Sequence, residues 1–359
     1  MRQFLYARNS SDSKVQATYL VDDKFVTFTE EGNAMDLEIS SFGRSVPIKK
    51  VAAFINPKSG SGKSLSDWQK VVKPFFIDSG KFQVALEVIT ENIGHAQKAA
   101  ACIDEDIEGV ITLGGDGLIN EVVNGLYSSG RLHVPVYPLP CGSGNGLVSS
   151  VFAASGKQIT LRAALRAVIA GNTQQVDLFE VSSGQKRRIA FLSVTFGIVA
   201  DTDIGSERLR CCGSSRFTLC GLIKIARNRA YQAKVTFSTD GVKDELFDGS
   251  FSSITAFNLS HASTDFIAAT ERSLSDGYMS LVCMRNPGRI GLIKTMLSAE
   301  LGNQAEKCQW WRPVDVKRFT IDVGLKGVAD AGIVVDGEKW FESTITASIV
   351  DDKLTTFLP

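Results

Sequence analysis

The sequence points to an α/β protein in two parts: an N-terminal doubly wound nucleotide-type domain and a C-terminal, mostly antiparallel β-sandwich domain. Three observations predict this. Between Lys49 and Ala170, apolar strand-like runs alternate with helix-period segments, the pattern of a parallel sheet with crossover helices. Each of three such runs ends in a glycine-rich loop. After Ala170 short strand patterns dominate and few helices interrupt them, so the boundary falls near 171–176.

In chain order, residues 1–47 are a polar lead-in in which Val15, Ala17, Tyr19 and Val21 alternate and Phe25 to Phe28 is β-like, predicting a hairpin. The segment 48–173 follows as the α/β domain. VAAFIN is a strand running into NPKSGSGK (Asn56–Lys63), and Leu65, Trp68, Val71, Val72 and Phe75 then recur at helical spacing. Phe82 to Thr90 is the next strand, and a helix through His95 to Cys102 returns the chain. Val110–Leu113 is an apolar run broken at Gly114-Gly115-Asp116-Gly117, and Leu118, Ile119, Val122, Val123 and Leu126 make the apolar face of a helix. Val134–Leu139 leads into PCGSGNG and a further helix. In 174–359 strands are expected at Asp177–Val181, Ile189–Phe196, Ala233–Ser238, Phe251–Leu259, Tyr278–Met284, Val314–Val323, Gly332–Val335 and Thr344–Val350. Helices are expected at Phe217–Ala230 and Ile290–Leu301.

Composition excludes several classes. Lys+Arg and Asp+Glu are both 39, so charge gives no footprint for nucleic acid. No apolar run is long enough to span a membrane, and the N-terminus lacks a signal-peptide core. Seven scattered cysteines without a CxxC pair suit reduced thiols in a cytoplasmic setting. Three glycine loops at the carboxyl ends of parallel strands converge on one crevice, where backbone N–H groups and helix N-termini can hold phosphate. Pro57 stands where the first glycine of a G-x-x-x-x-G-K loop would be, and no dinucleotide GxGxxG with a distal acid is present. Asp116, at the tip of its turn, suits work on a phosphate, a metal or a hydroxyl proton.

GGDGLINEVVNGL, PCGSGNGL and NPKSGSGK together resemble the catalytic domain shared by diacylglycerol, ceramide and sphingosine kinases. SVTFGIVADTDIGSERLRCCGSSRF (Ser193–Phe217) and the late VVDGE (Val334–Glu338) resemble sphingosine kinases in particular, in matching order from about Val51 to Glu338. The resemblance implies an ATP-dependent, Mg²⁺-requiring kinase acting on the primary hydroxyl of a sphingoid base, with Asp116 as the base that removes the hydroxyl proton. It implies nucleotide contacts at Asn56, Lys58, Ser59 and Thr90, and at Gly114, Gly115, Gly117 and Glu121. Gly142, Ser143 and Asn145 join them, as do Glu207, Arg210 and Arg216 from the second domain. Asp336, Gly337 and Glu338 return to the nucleotide near its Mg²⁺, with no fixed metal site. Ser193 and Asp203 are implied for the lipid head group, with Asp201 as a neighbour. Phe217 and Phe266, with Phe196, Phe257 and Leu297, are implied for the acyl tunnel.

The chain departs from the mammalian pattern in lacking a Pro-rich insertion and in carrying Cys211 where a basic residue is usual. Diacylglycerol or ceramide kinase is the enzymatic alternative, and a nucleotide-binding regulator on a kinase fold the non-enzymatic one. NAD kinase shares a GGDG-type loop but not PCGSGN. A peripheral membrane surface is the expected partner, with the basic-apolar stretch Arg216–Lys234 as its candidate. No nucleic acid is expected, and the oligomeric state, a homodimer included, is open.

Overall fold

The computed structural model describes residues 2–9, 14–21, 24–31, 49–206, 215–227, 229–239, 244–268, 272–300, 309–324 and 332–359; in the first three segments, and at 215, 216 and 300, it describes the backbone alone. Arg2–Asn9, Lys14–Val21 and Lys24–Glu31 form a three-stranded antiparallel sheet.

A four-stranded parallel sheet follows, in the order Phe82–Ile89, Lys49–Ile55, Gly109–Gly114, Val136–Pro140. Its two central strands are nearly continuous apolar runs because both faces are covered, and Val51–Ile55 and Val110–Leu113 are buried throughout. The strand order reverses direction between Lys49–Ile55 and Gly109–Gly114. Such a switch point opens a crevice at the carboxyl ends of the strands, and these two strands lead directly into NPKSGSGK and GGDG. The helix Asp116–Ser128 buries Leu118, Ile119, Val122, Val123 and Leu126 as its periodicity requires, and it also buries Asn120 and Asn124. Thr160 caps the helix Leu161–Ala170 through Ala163 N–H at 3.0 Å, and Gly171 ends it in the left-handed conformation.

The rest is a sandwich of two six-stranded antiparallel sheets. One runs Pro313–Val316, Met279–Met284, Ser253–Phe257, Ser193–Gly197, Ile333–Val335, Glu338–Trp340; the other runs Asp244–Phe251, Tyr231–Ser238, Arg318–Asp322, Thr344–Phe357, Thr173–Ser183, Lys186–Ala190. Three segments that read as single strands are broken here. Ile189–Phe196 divides into Lys186–Ala190 and Ser193–Gly197, Phe251–Leu259 at Ser252, and Val314–Val323 at Lys317. In each case the two halves belong to different sheets, so the chain turns a corner of the sandwich. Both halves keep buried apolar residues, such as Val316 and Phe319 on either side of Lys317, which is why hydropathy alone runs them together. The helix expected at Phe217–Ala230 ends at Arg227, and a further helix, Ile198–Ser206, carries Asp201 and Asp203.

The last strand, Thr344–Phe357, continues past Val350 through a register shift between Val350 and Lys353. Its end, Leu354 and Phe357, packs in the core of the parallel-sheet domain, with Phe357 edge-on to Phe152 at 5.9 Å. The C-terminal strand thereby ties the two halves together.

Candidate active site

The three glycine loops touch one another backbone to backbone. A Cβ on Gly60 would lie 2.4 Å from the Cys141 carbonyl oxygen, and one on Gly142 would lie 2.5 Å from Gly115 Cα. No side chain fits at either contact, so glycine there is a packing requirement as well as a turn preference. Within the loops, Asn56 Oδ1 accepts Lys58 N–H at 3.0 Å. Asn145, at φ +53°, exchanges two bonds of 2.8 Å with Gly142 N–H and carbonyl. Thr90 is buried, its hydroxyl donating to the Ile55 carbonyl. Glu121 accepts Gly94 and Ala96 N–H at 2.9 and 3.0 Å, fixing the loop after Thr90 from the neighbouring helix.

Asp116 opens the helix Asp116–Ser128, and its carboxylate reaches across to the next unit. It accepts Gly146 N–H at 2.9 Å and Leu147 N–H at 3.1 Å, at the start of the helix Gly146–Ala154. Removal from water pushes its carboxyl above the ordinary value, and backbone donors from Gly146, Leu147 and its own residue pull the other way. In the same loop cluster, burial pushes the Cys141 thiol up to about 11, which keeps it protonated and chemically quiet near neutral pH.

The crevice encloses about 1690 Å³. Single small-molecule sites commonly span roughly 300–1,000 Å³, so this one has room for two ligands. One end holds Asn56, Lys58, Ser59, Thr90, Gly115, Asp116, Gly117, Glu121, Gly142, Ser143 and Asn145, all on its lining. The other is an apolar slot beneath the helices Ile198–Ser206, Ser215–Arg227 and Gly288–Glu300. Ser193, Asp203, Phe217, Phe266, Asp336, Gly337 and Glu338 line the crevice as well. Gly114 lies just before the loop, where a Cβ would meet Leu118 at 2.6 Å.

Some expected residues are elsewhere. Asp201 is not on the crevice lining: its carboxylate accepts the Tyr231 hydroxyl at 2.8 Å and faces Lys224 at 3.5 Å. Phe196 is packed edge-on against Tyr231 inside the sandwich, and Leu297 points to solvent; Leu292 and Met296 of the same helix line the slot instead, with Phe257 stacked on Trp311. Glu207 and Arg210 lie outside the described residues, as does the side chain of Arg216.

Asp336 has a structural task. At φ +47° and 4% exposed, it accepts four bonds of 2.8–3.0 Å, from Asn120 Nδ2 and the N–H groups of Phe191, Leu192 and Ser193. Burial pushes its carboxyl pKa up and those four donors oppose it. It thus holds the corner at 191–193 open toward the helix that carries Asp116.

Around it sit residues that sequence reasoning missed. Arg188 donates to Asn120 Oδ1 and pairs with Glu338. Asn124 pairs with the edge strand as another strand would, donating to the Ile189 carbonyl at 2.8 Å and accepting Ile189 N–H at 2.9 Å. The signal was present: two asparagines four residues apart on an otherwise apolar helix face must be buried against polar partners. From the second domain, Thr264 bonds the Gly144 carbonyl through both its N–H and its hydroxyl, at 2.8 and 3.0 Å.

Residues 50–181 match the family model of the diacylglycerol kinase catalytic domain. The chain is similar to sphingosine kinase 1 of Arabidopsis thaliana, 26% identical over 356 residues that cover 85% of this chain and 73% of that protein. It is similar also to sphingoid long chain base kinase 4 of Schizosaccharomyces pombe, 29% identical over 238 residues covering 63% and 48%. A diacylglycerol kinase structure from Bacillus anthracis shares the fold, with a TM-score of 0.64, 17% identity, and 88% and 99% of the two chains covered. The matched residues carry the glycine-loop end of the crevice, and the slot lies beyond them.

Proposed function

We propose that this chain is a lipid kinase that transfers the terminal phosphoryl group of ATP to the primary hydroxyl of a sphingoid base. The observation that carries the reading is the position of Asp116. It is a carboxylate held by two helix-start N–H groups, on the lining of one crevice whose two ends are a glycine-loop cradle and an apolar slot. The cradle, at Asn56–Ser59, Gly115–Gly117 and Gly142–Asn145, suits the phosphates, and Thr90 and Glu121 close its far side. Asp116 takes the hydroxyl proton, its raised pKa bringing it closer to the strength a general base needs. Asp203 on the lining faces the ammonium of the base beside Ser193. Ceramide and diacylglycerol carry no cation to meet it.

Among the described residues no three His, Cys, Asp or Glu side chains gather as a metal site. Mg²⁺ keeps several waters and binds through substrate phosphates with one or two carboxylates. When bound, Mg²⁺ neutralises charge on the transferring phosphate. Among the described residues no helix is long and apolar enough to cross a membrane. The slot's roof helix Ser215–Arg227 instead exposes Leu219, Leu222 and Ile223, and this face rests on a membrane surface while lipid enters. Protein and lipid meet there.

Asp116→Asn tests the reading. General-base catalysis is worth about 10²–10⁴-fold, so kcat should fall by that order while nucleotide binding, read by fluorescent-ATP titration, persists. A variant keeping more than a tenth of wild-type kcat (about one decade) would exclude Asp116 as the base.

A further inference from the structure

The floor of the slot has a composition that a plain acyl channel does not call for. Alternation along Ser193–Gly197 sends Val194 and Phe196 into the sandwich core and leaves Ser193, Thr195 and Gly197 on the opposite face. The register places Phe257, Thr255 and Ser253 directly opposite those three. Thr195, Ser253 and Thr255 are 5%, 0% and 0% exposed, and the hydroxyl oxygen of each has no hydrogen-bond partner among the described residues. Thr195 and Ser253 lie on the crevice lining, next to Met284, Leu292 and Met296.

A buried hydroxyl without a partner is costly, and valine or alanine would fill the same space without that cost. Thr195 and Ser253, the two of them on the crevice lining, are accounted for if a ligand brings the partners. Ser193, which the reading above places at the head group, lies about 7 Å from Thr195 along the same strand face. Beyond Thr195 the same face continues to Ser253, opposite Gly197. The polar strip therefore begins just past the head group and runs a short way under the chain.

We infer, on the sphingoid-base reading above, that the slot selects a base with a third hydroxyl on C4, the 4-hydroxysphinganine class. C4 is three bonds from the reacting C1, so with the C1 hydroxyl at Asp116 and the amine facing Asp203, the C4 hydroxyl falls on the Thr195 side of Ser193. A hydroxyl donates once and accepts twice, so this group serves Thr195 and a neighbouring strip hydroxyl together. A methylene at the same place leaves Thr195 and that neighbour unpartnered. Sites built to bond a substrate hydroxyl discriminate strongly against analogues without it.

The test is a competition in one tube between 4-hydroxysphinganine and sphinganine, with the two phosphorylated products separated by mass. The product ratio does not depend on how much enzyme is active. Wild type should favour the C4-hydroxylated base by about tenfold or more in kcat/KM. Thr195→Val should bring the ratio within about twofold of unity, and Ser253→Ala should reduce it if Thr195→Val yields no active protein. Ligand-free Thr195→Val should melt no lower than wild type, because it removes an unpartnered group. A wild-type ratio within about twofold of unity, an unchanged ratio in both variants, or a lower melting temperature for Thr195→Val would each overturn the inference. If neither base is phosphorylated while diacylglycerol or ceramide is, the sphingoid-base reading fails and takes this inference with it.

Discussion

Replacing Asn124 with leucine removes the pairing between the helix Asp116–Ser128 and the edge strand Lys186–Ala190 while nearly conserving volume. Asn124 is 6% exposed and Ile189 is fully buried, so water cannot replace what is lost. The Ile189 carbonyl keeps a bond from Asn120 Nδ2 at 3.2 Å, but its N–H has Asn124 Oδ1 as acceptor. Leaving one buried N–H alone costs about 1–3 kcal/mol, and the lost bonds from Asn124 Nδ2 to Ile189 and Asn120 add about 0.5–1.5 kcal/mol each. Apolar burial of the leucine offsets part of this, so Asn124→Leu should destabilise by about 2–4 kcal/mol. Urea unfolding followed by tryptophan fluorescence reads the change as a shift in midpoint. If the loss is under about 0.5 kcal/mol, the size of an ordinary surface substitution, this contact does not hold the domains in register.

Two further outcomes are expected. Asp203→Asn should cut sphingosine kcat/KM by about thirty- to several-thousand-fold, since truncating one member of a buried charge pair costs roughly 2–5 kcal/mol. A change within about threefold would remove Asp203 from the head-group site, and Asp201, bonded to Tyr231, would not replace it. Because Asp116 must be ionised to accept a proton and burial raises its pKa, kcat/KM should fall as pH drops through a value above the ordinary carboxylate figure of about 3.9. A profile flat down to that value would contradict the assignment.

The parallel sheet was legible because its strands and helices differ in period and because glycine marks each strand end. The convergence of three loops followed from topology alone, and the contacts Gly60–Cys141 and Gly115–Gly142 are its physical form. The sandwich corners were not legible. A strand that crosses from one buried sheet to another keeps its apolar pattern, and at 191–193 the turn is made by a carboxylate 143 to 145 positions away. Distance in sequence likewise hid Arg188, whose partners Asn120 and Glu338 lie 68 positions before and 150 positions after it. Asp336 was found by its motif, yet its four donors show that a motif position does not disclose which way a side chain faces. For the slot, the resemblance implies Phe196 and Phe257 alike; strand alternation and register put Phe257 on the Ser193 face, which lines the slot, and Phe196 on the other.

The account stands on substrate class, and one measurement reaches it directly. Purified full-length protein is incubated with γ-³²P-ATP and Mg²⁺ against sphingosine, ceramide and diacylglycerol in parallel, each in the same mixed micelles, with Asp116→Asn as the control. Label should appear in sphingosine 1-phosphate, and the control should lose it. Label chiefly in ceramide or diacylglycerol, or in no lipid at all, would contradict the account.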